Sequence, residues 1–249
     1  MMPRIMVLGG YGTTGLKIAE LLLRETDAHV VIAGRRLGEA QAAAQRIGRG
    51  DDAERVSAQL VDAEDSALLE QRFRDIELVV VASSTAKYVD AVSSAALAAG
   101  IDYMDIQYSG SKLRYLESVQ TDIVDRGSCF ITEGGFHPGM PGALVRFAAG
   151  FMDRVQRASV ASVMQLDWRD LRPSPTTEDE FVDELASFQS LSFEHGEWVA
   201  SPWWKARRFA FGAPFGIRQA SPMFLPELRP LPDQHPSLTE VGFYVSGFN

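Results

Sequence analysis

The sequence predicts an α/β chain: a Rossmann-type doubly wound parallel sheet over residues 1–133, followed by a smaller α+β domain over 134–249. Three observations carry this expectation. Short apolar runs alternate with segments of helical periodicity through the first half. A glycine-rich turn, "GGYGTTG", separates the first run from the first helical segment, and after about Arg154 the alternation gives way to strands joined by Pro-rich connections. Parallel neighbours need crossover connections and helices fill them, so the alternation itself points to a parallel sheet.

"RIMVL" is the first strand, and Leu16, Ala19, Leu22 and Leu23 recur at helical spacing behind it. "HVVIAG" and "EAQAAAQRI" read as the second strand and helix, "VSAQLVD" and "DSALLEQRF" as the third pair. "LVVVASS" is continuously apolar, as a strand buried on both faces of a parallel sheet should be. Tyr88, Val92, Ala95 and Ala99 form the stripe of the next helix, which Gly100 is placed to end in a left-handed cap. "DYMDI" is the fifth strand; Leu116, Val119 and Ile123 mark one helix after it, and "CFIT" is the sixth strand. Beyond Arg154, "RASVASVMQLDW" reads as one long strand and "LRPSPTT" as the loop that stops it. Thr177 and Glu180 have capping-box spacing at the start of a helix facing Phe181, Leu185 and Phe188 inward, with "EDE" as its solvated first turn. "LSFEHGEWV" suits a hairpin turning near His195 and Gly196, and "VGFYVSGF" a last strand.

Composition narrows the partners. Twenty-four Lys plus Arg against thirty-three Asp plus Glu give a net charge of -9, which works against nucleic acid and anionic membranes. A small-molecule substrate and a second copy of the chain are the expected partners. Cys129 is the single cysteine, so no intrachain disulfide forms; a small buried hydrophobe in a strand is the plain reading of it. The first strand begins by Arg4, leaving no room for a cleavable leader, and no apolar run is long enough to span a bilayer, so cytoplasm is the expected compartment.

The glycine turn presents Gly10-x-Gly12-x-x-Gly15 between a strand and a helix. In that context Gly10 permits the tight turn, Gly12 lets the backbone approach a pyrophosphate, and Gly15 lets helix and strand pack closely. Tyr11, Thr13 and Thr14 complete the loop, whose free N–H groups would face the phosphates. At the end of the second strand, where an NAD site presents an acid, the chain reads "AGRR". Gly34 leaves space there, and Arg35 and Arg36 can meet a 2′-phosphate with charge-assisted hydrogen bonds, so NADP(H) is the expected cofactor. The alternative for the arginines, stronger for Arg36, is a solvated start to the second helix. Asp62 and the run Ala82, Ser83 and Ser84 end the third and fourth strands at the edge where ligands bind in such sheets. Asp62 either accepts a bond from the adenine amino group or caps the helix that follows.

Together, "VLGGYGTTG", "VIAGRR", "VDAED", a fourth strand ending in "ASS", and "GGFHPGMPG" after the sixth resemble the saccharopine dehydrogenase-like oxidoreductases. The likeness runs through most of the first 150 residues and returns weakly in "VGFYVSGFN". It implies an NADP-binding Rossmann domain, a second α+β domain that closes over the nicotinamide and often dimerises, and redox chemistry at a carbon–nitrogen bond. The exact reaction does not carry over, because the family is broad. The chain stops at Asn249, where many relatives continue, and the resemblance leaves two expectations open: that part of a substrate pocket or a closing helix is missing, or that the chain is a fragment.

"GGFHPGMPG" falls where the sixth strand gives way to a helix, with Pro141 as an early residue that needs no bonded N–H. The expectation is a second bare helix N-terminus at the nicotinamide end, suited to a substrate carboxylate or a cofactor phosphate. His137 on that loop either exchanges a proton as hydride moves or hydrogen-bonds a backbone carbonyl. Tyr108 and Glu133 are competing proton donors at the same sheet edge, and Asp105 either joins them or only caps or pairs. Lys87 directly before Tyr88 lacks the four-residue spacing of a Tyr–Lys reductase pair and is set aside. His29 and His235 read as surface residues. No cluster has metal-ligand spacing, and no GxSxG elbow is present. Trp203, Trp204, Phe209, Phe211 and Phe215 line a substrate pocket or an interface, or form ordinary core, the simpler account. The alternative to an oxidoreductase is a non-catalytic NADP-binding module that senses redox state.

Overall fold

The computed structural model describes residues 2–165, 178, 182 and 189–247. The chain divides into two compact units, Met1–Gly134 and Gly135–Asn249.

The first unit runs β1 (Arg4–Leu8), α1 (Thr13–Glu25), β2 (His29–Gly34), α2 (Leu37–Ile47), β3 (Val56–Leu60), α3 (Ser66–Phe73), β4 (Leu78–Val81), α4 (Val89–Ala99), β5 (Asp102–Asp105), α5 (Gly110–Ser118), α6 (Gln120–Asp125) and β6 (Phe130–Ile131). Its six strands are all parallel, in the order β3-β2-β1-β4-β5-β6. This is the doubly wound Rossmann arrangement. The alternation of side chains along each strand splits the core into two layers. Met6, Leu8, Val31, Val79, Val81 and Tyr103 pack with Leu69, Phe73, Val92 and Leu116 of α3 to α5. Val7, Val30 and Ile32 pack on the other side with Leu16, Ala19 and Leu23 of α1 and Ala40 and Ala43 of α2. Each large apolar side chain so buried contributes roughly 1.5–3 kcal/mol. Strand order reverses between β1 and β4, which opens a crevice at the carboxyl ends of the strands, where the connecting turns collect. Gly100 ends α4 in the left-handed conformation, φ 68°, as its position predicted.

The second unit contains α7 (Met140–Ala149), β7 (Arg157–Val163), β8 (Leu191–Glu194), β9 (Glu197–Ala200), β10 (Arg207–Ala210), β11 (Ile217–Met223), a short helix Leu231–Gln234 and β12 (Glu240–Ser246). Its sheet is mainly antiparallel, ordered β10-β11-β12-β8-β9. β7 is the exception, pairing with β12 in parallel along all seven residues. Phe193, Leu225, Leu228, Leu231, Leu238, Val241, Phe243 and Val145 make a separate core. The β8–β9 hairpin turns at His195 and Gly196, both at positive φ, where it was expected.

Several expectations are corrected. The helix expected across Leu116, Val119 and Ile123 is two, α5 and α6, broken at Val119 (φ −103°, ψ 10°). Cys129 is exposed, not a buried strand residue: it precedes β6, the edge strand, and its N–H donates to Asp102 Oδ1 at 2.8 Å. Trp203 and Trp204 are 72% and 69% exposed, so they are not core; they sit in a short turn before β10, an end strand of the sheet. His29 and His235 are half-buried, and the His29 ring bonds Ser57 Oγ at 2.8 Å. The long strand from Arg157 ends at Val163. Its expected continuation through Trp168, the "LRPSPTT" loop, and the capping box and apolar face at Thr177, Glu180, Phe181, Leu185 and Phe188 lie outside the described residues.

Candidate functional site

The glycine turn packs too tightly for side chains. Gly9 takes the left-handed position, φ +84°, and a Cβ there would come within 2.7 Å of Ser83 Cβ; a Cβ on Gly10 would lie 2.8 Å from the Val7 carbonyl oxygen, so the tight turn leaves no room for a side chain at either position. At Gly15 a Cβ would lie 2.3 Å from the Gly9 carbonyl oxygen, so helix and turn touch backbone to backbone. Gly12 is the N-cap of α1 and supplies no side-chain cap, and no acid occupies the first turn. The N-terminal N–H groups of α1 are therefore left for an anion, beside the exposed side chains of Thr13 and Thr14.

At the end of β2, a Cβ on Gly34 would strike the Tyr11 ring at 2.5 Å, so the ring lies against the bare backbone there. The Arg36 guanidinium sits 5.2 Å from the centre of that ring and pairs with Glu39 at 2.8 Å. Arg35 is exposed and forms no ion pair among the described residues. After β3, Asp62 Oδ1 accepts from the Glu64 N–H at 3.1 Å, and it is Asp65 that caps α3. After β4, the Ala82 N–H donates to Leu8 O, the Ser83 and Thr85 hydroxyls bond at 3.1 Å, and Ser84 is exposed.

From Ser83 the edge continues as one hydrogen-bonded strip. The Gln107 side-chain amide donates to Ser83 O, and the Gln107 and Glu133 N–H groups each donate to Asp105 Oδ1 at 3.1 Å. The same oxygen pairs with Lys112 Nζ at 2.6 Å, both side chains being fully buried. Asp105 Oδ2 accepts from the Tyr103 hydroxyl at 2.8 Å and the Thr132 hydroxyl at 2.9 Å, and Lys112 also donates to Thr132. Burial, reinforced by the Asp105 charge, drives the Tyr103 phenol well above its ordinary range. Asp105 thus pairs, one of the two roles left open for it. Sequence reasoning missed Lys112, whose signal was a lysine four residues before Leu116, on the apolar face of a helix.

Of the three proton-donor candidates, two lie in the first unit. Glu133 is buried with φ 57°, and Tyr108 is half-buried after β5. His137 belongs to the second unit: its ring is 6.0 Å from that of Phe243, and its Nδ1 is buried with no hydrogen-bond partner among the described residues. That nitrogen does not bond a carbonyl. Pro141 falls in the first turn of α7, as expected, but the helix end is not bare. Glu227 places its carboxylate there, accepting from the Gly139 N–H and, at 2.7 Å, from the Gly142 N–H. The expected site for a substrate carboxylate or cofactor phosphate is filled by the chain itself, because those orphan N–H groups find a closer acceptor. Burial raises the Glu227 carboxyl, while the two N–H groups and the Arg146 and His137 charges pull it back.

Residues 5–126 match the model for the saccharopine dehydrogenase NADP-binding domain. The first unit belongs to that family. Beyond the NADP-binding domain, the likeness extends to 98% of this chain in the saccharopine dehydrogenase (L-Glu forming) of Saccharomyces cerevisiae, at 18% identity and a TM-score of 0.71. This chain spans 54% of that enzyme's length. A short-chain type dehydrogenase/reductase from Mycobacterium ulcerans matches 51% of this chain and 64% of its own, at 14% identity and a TM-score of 0.43. No curated protein matches significantly. Within the matched residues lie a glycine turn with no room for side chains, a helix start without a side-chain cap and, at the end of β2, an exposed arginine outside the ion pairs of the described residues. Among the described residues no helix is long and apolar enough to cross a membrane.

Proposed function

We propose that the chain is an NADP(H)-dependent oxidoreductase acting on a small molecule with a carbon–nitrogen (imine or amine) bond or an activated alkene. The observation that carries this reading is the cradle formed by Gly9, Gly12 and Gly15 under the uncapped end of α1, in a domain whose family binds NADP. When bound, the nicotinamide supplies or accepts the hydride. In this reading the Gly10–Gly15 turn with Thr13 and Thr14 holds the pyrophosphate, Gly34, Arg35 and Arg36 flank the adenosine phosphate, and Asp62 and Ala82 to Ser84 border the base and the crevice. His137, Tyr108 and Glu133 are the groups from which one exchanges the proton that accompanies the hydride. His137 is supported by its unengaged Nδ1. A homodimer formed through the second unit belongs to the same reading and is supported by the exposed Phe147, Phe151, Trp203 and Trp204.

One observation favours the rival reading of a non-catalytic, NADP-binding redox sensor: Glu227 occupies the helix end that was the expected anchor for an anionic substrate. Thermal unfolding tests the shared premise. NADP(H) is expected to raise the midpoint more than NAD(H), and Arg35→Ala to remove that difference; no rise with either cofactor would defeat both readings. Substrate-dependent NADPH oxidation then separates enzyme from sensor.

A further inference from the structure

Two turns at the carboxyl edge of the NADP-binding sheet are tied together beside Arg35. The turn after β4 contains Lys87 and Tyr88, and the turn after β3 contains Glu64. The Tyr88 hydroxyl donates to the Glu64 carboxylate, and Lys87 Nζ rests 4.5 Å from the centre of the Tyr88 ring. In the sheet order β3-β2-β1-β4, the Tyr88–Glu64 bond runs from the turn after β4 to the turn after β3 and so spans the edge at which β2 leads into Arg35; the Tyr88 side chain, and after it Glu64, favour the charged Lys87 ammonium. Two exposed cations from different strand ends thus share one edge of the sheet. Like charges so placed repel, and a dianion between them converts the repulsion into two attractions. Arg36 is engaged differently, since it already pairs with Glu39 and stacks on Tyr11.

We propose that Lys87 is, with Arg35, a cofactor-specificity residue that binds the 2′-phosphate of NADP(H), the Tyr88–Glu64 bond fixing the turn from which it reaches. The inference rests on the cofactor site assigned above to the glycine turn and the end of β2. It gives a role to a lysine whose spacing from Tyr88 rules out a reductase-type catalytic pair. A lysine suits the task as a point charge on a flexible stem, complementing the planar fork of Arg35. NAD(H), lacking that phosphate, gains nothing from either cation.

Isothermal titration of the full chain with NADPH, NADH and 2′,5′-ADP, at low and high salt, tests it. Lys87→Ala is expected to weaken NADPH and 2′,5′-ADP by about tenfold while leaving NADH within about twofold, and Lys87→Arg to retain most of the affinity. The Lys87→Ala penalty should shrink at high salt, because the contact is exposed. Lys87 sits in an exposed turn, so an unchanged unfolding midpoint will show that the variants are folded. Unchanged NADPH affinity in Lys87→Ala, or equal losses for NADPH and NADH, would overturn the inference and leave Lys87 a brace for Tyr88. A wild-type chain that binds neither NADPH nor 2′,5′-ADP would instead overturn the cofactor site on which it depends.

Discussion

At Glu227, burial raises the carboxyl above its ordinary value of 4.5 even though two backbone N–H groups favour the ionised form. A group whose pKa is higher in the folded state than in the unfolded one contributes stability that is present at low pH and lost as pH rises through the folded value. Glu227 should therefore stabilise the second unit least above its raised pKa. In urea unfolding from pH 4.5 upward, Glu227→Gln is expected to gain on the wild type as pH rises, whereas Glu227→Ala, which loses the cap, should cost about 1 kcal/mol. A wild type that gains on Glu227→Gln with rising pH would show that capping outweighs desolvation. The sequence exposes only half of this arrangement. Pro141 and Gly142 mark a helix start that is readable locally, but the acceptor lies 85 residues further along the chain, and no local pattern announces it. Lys112 is the contrary case: a lysine on an apolar helix face is a visible anomaly, and its explanation, Asp105, is seven residues away.

Among the elements, β5, α5 and the end of β6 are joined through that pair. Asp105 accepts five hydrogen bonds, and among the described residues the buried Lys112 ammonium is the charge that balances it. Lys112→Met leaves a buried carboxylate without its counterion and is expected to destabilise by about 3–5 kcal/mol, while Asp105→Asn with Lys112→Met should recover part of that loss. A double-mutant cycle by urea unfolding checks this; additive losses would mean that the two residues act separately. The strands of the first sheet were legible because each is a short apolar run and their pairing follows from right-handed crossovers between near neighbours. The break at Val119 was not. Apolar residues at 116, 119 and 123 continue a helical period across it, yet α6 buries no residue, so no packing holds the two segments in one helix.

On the scale of the whole molecule, the two units have separate cores, one built from β1 to β6 and their helices, the other around β12. Residues 1–134 expressed alone are therefore expected to unfold cooperatively and to bind NADPH nearly as well as the full chain. A fragment that stays unfolded, or folds without binding, would show that the second unit completes the site. The same division explains what could be read in advance. Apart from β1 with β4, the first unit pairs strands that follow one another in the chain across a helical crossover, whereas the second depends on β7 meeting β12, a parallel pairing across most of its length that periodicity does not encode. That pairing also sets an order of events during synthesis. The Rossmann sheet is complete once β6 has left the ribosome, but β12, which β7, β8 and β11 share as a partner, arrives roughly 80 residues after β7, about 4–16 s later at ordinary translation rates. Through that interval β7 has no strand partner among the described residues, so the edge that β12 later covers is the aggregation-prone edge of the nascent second unit.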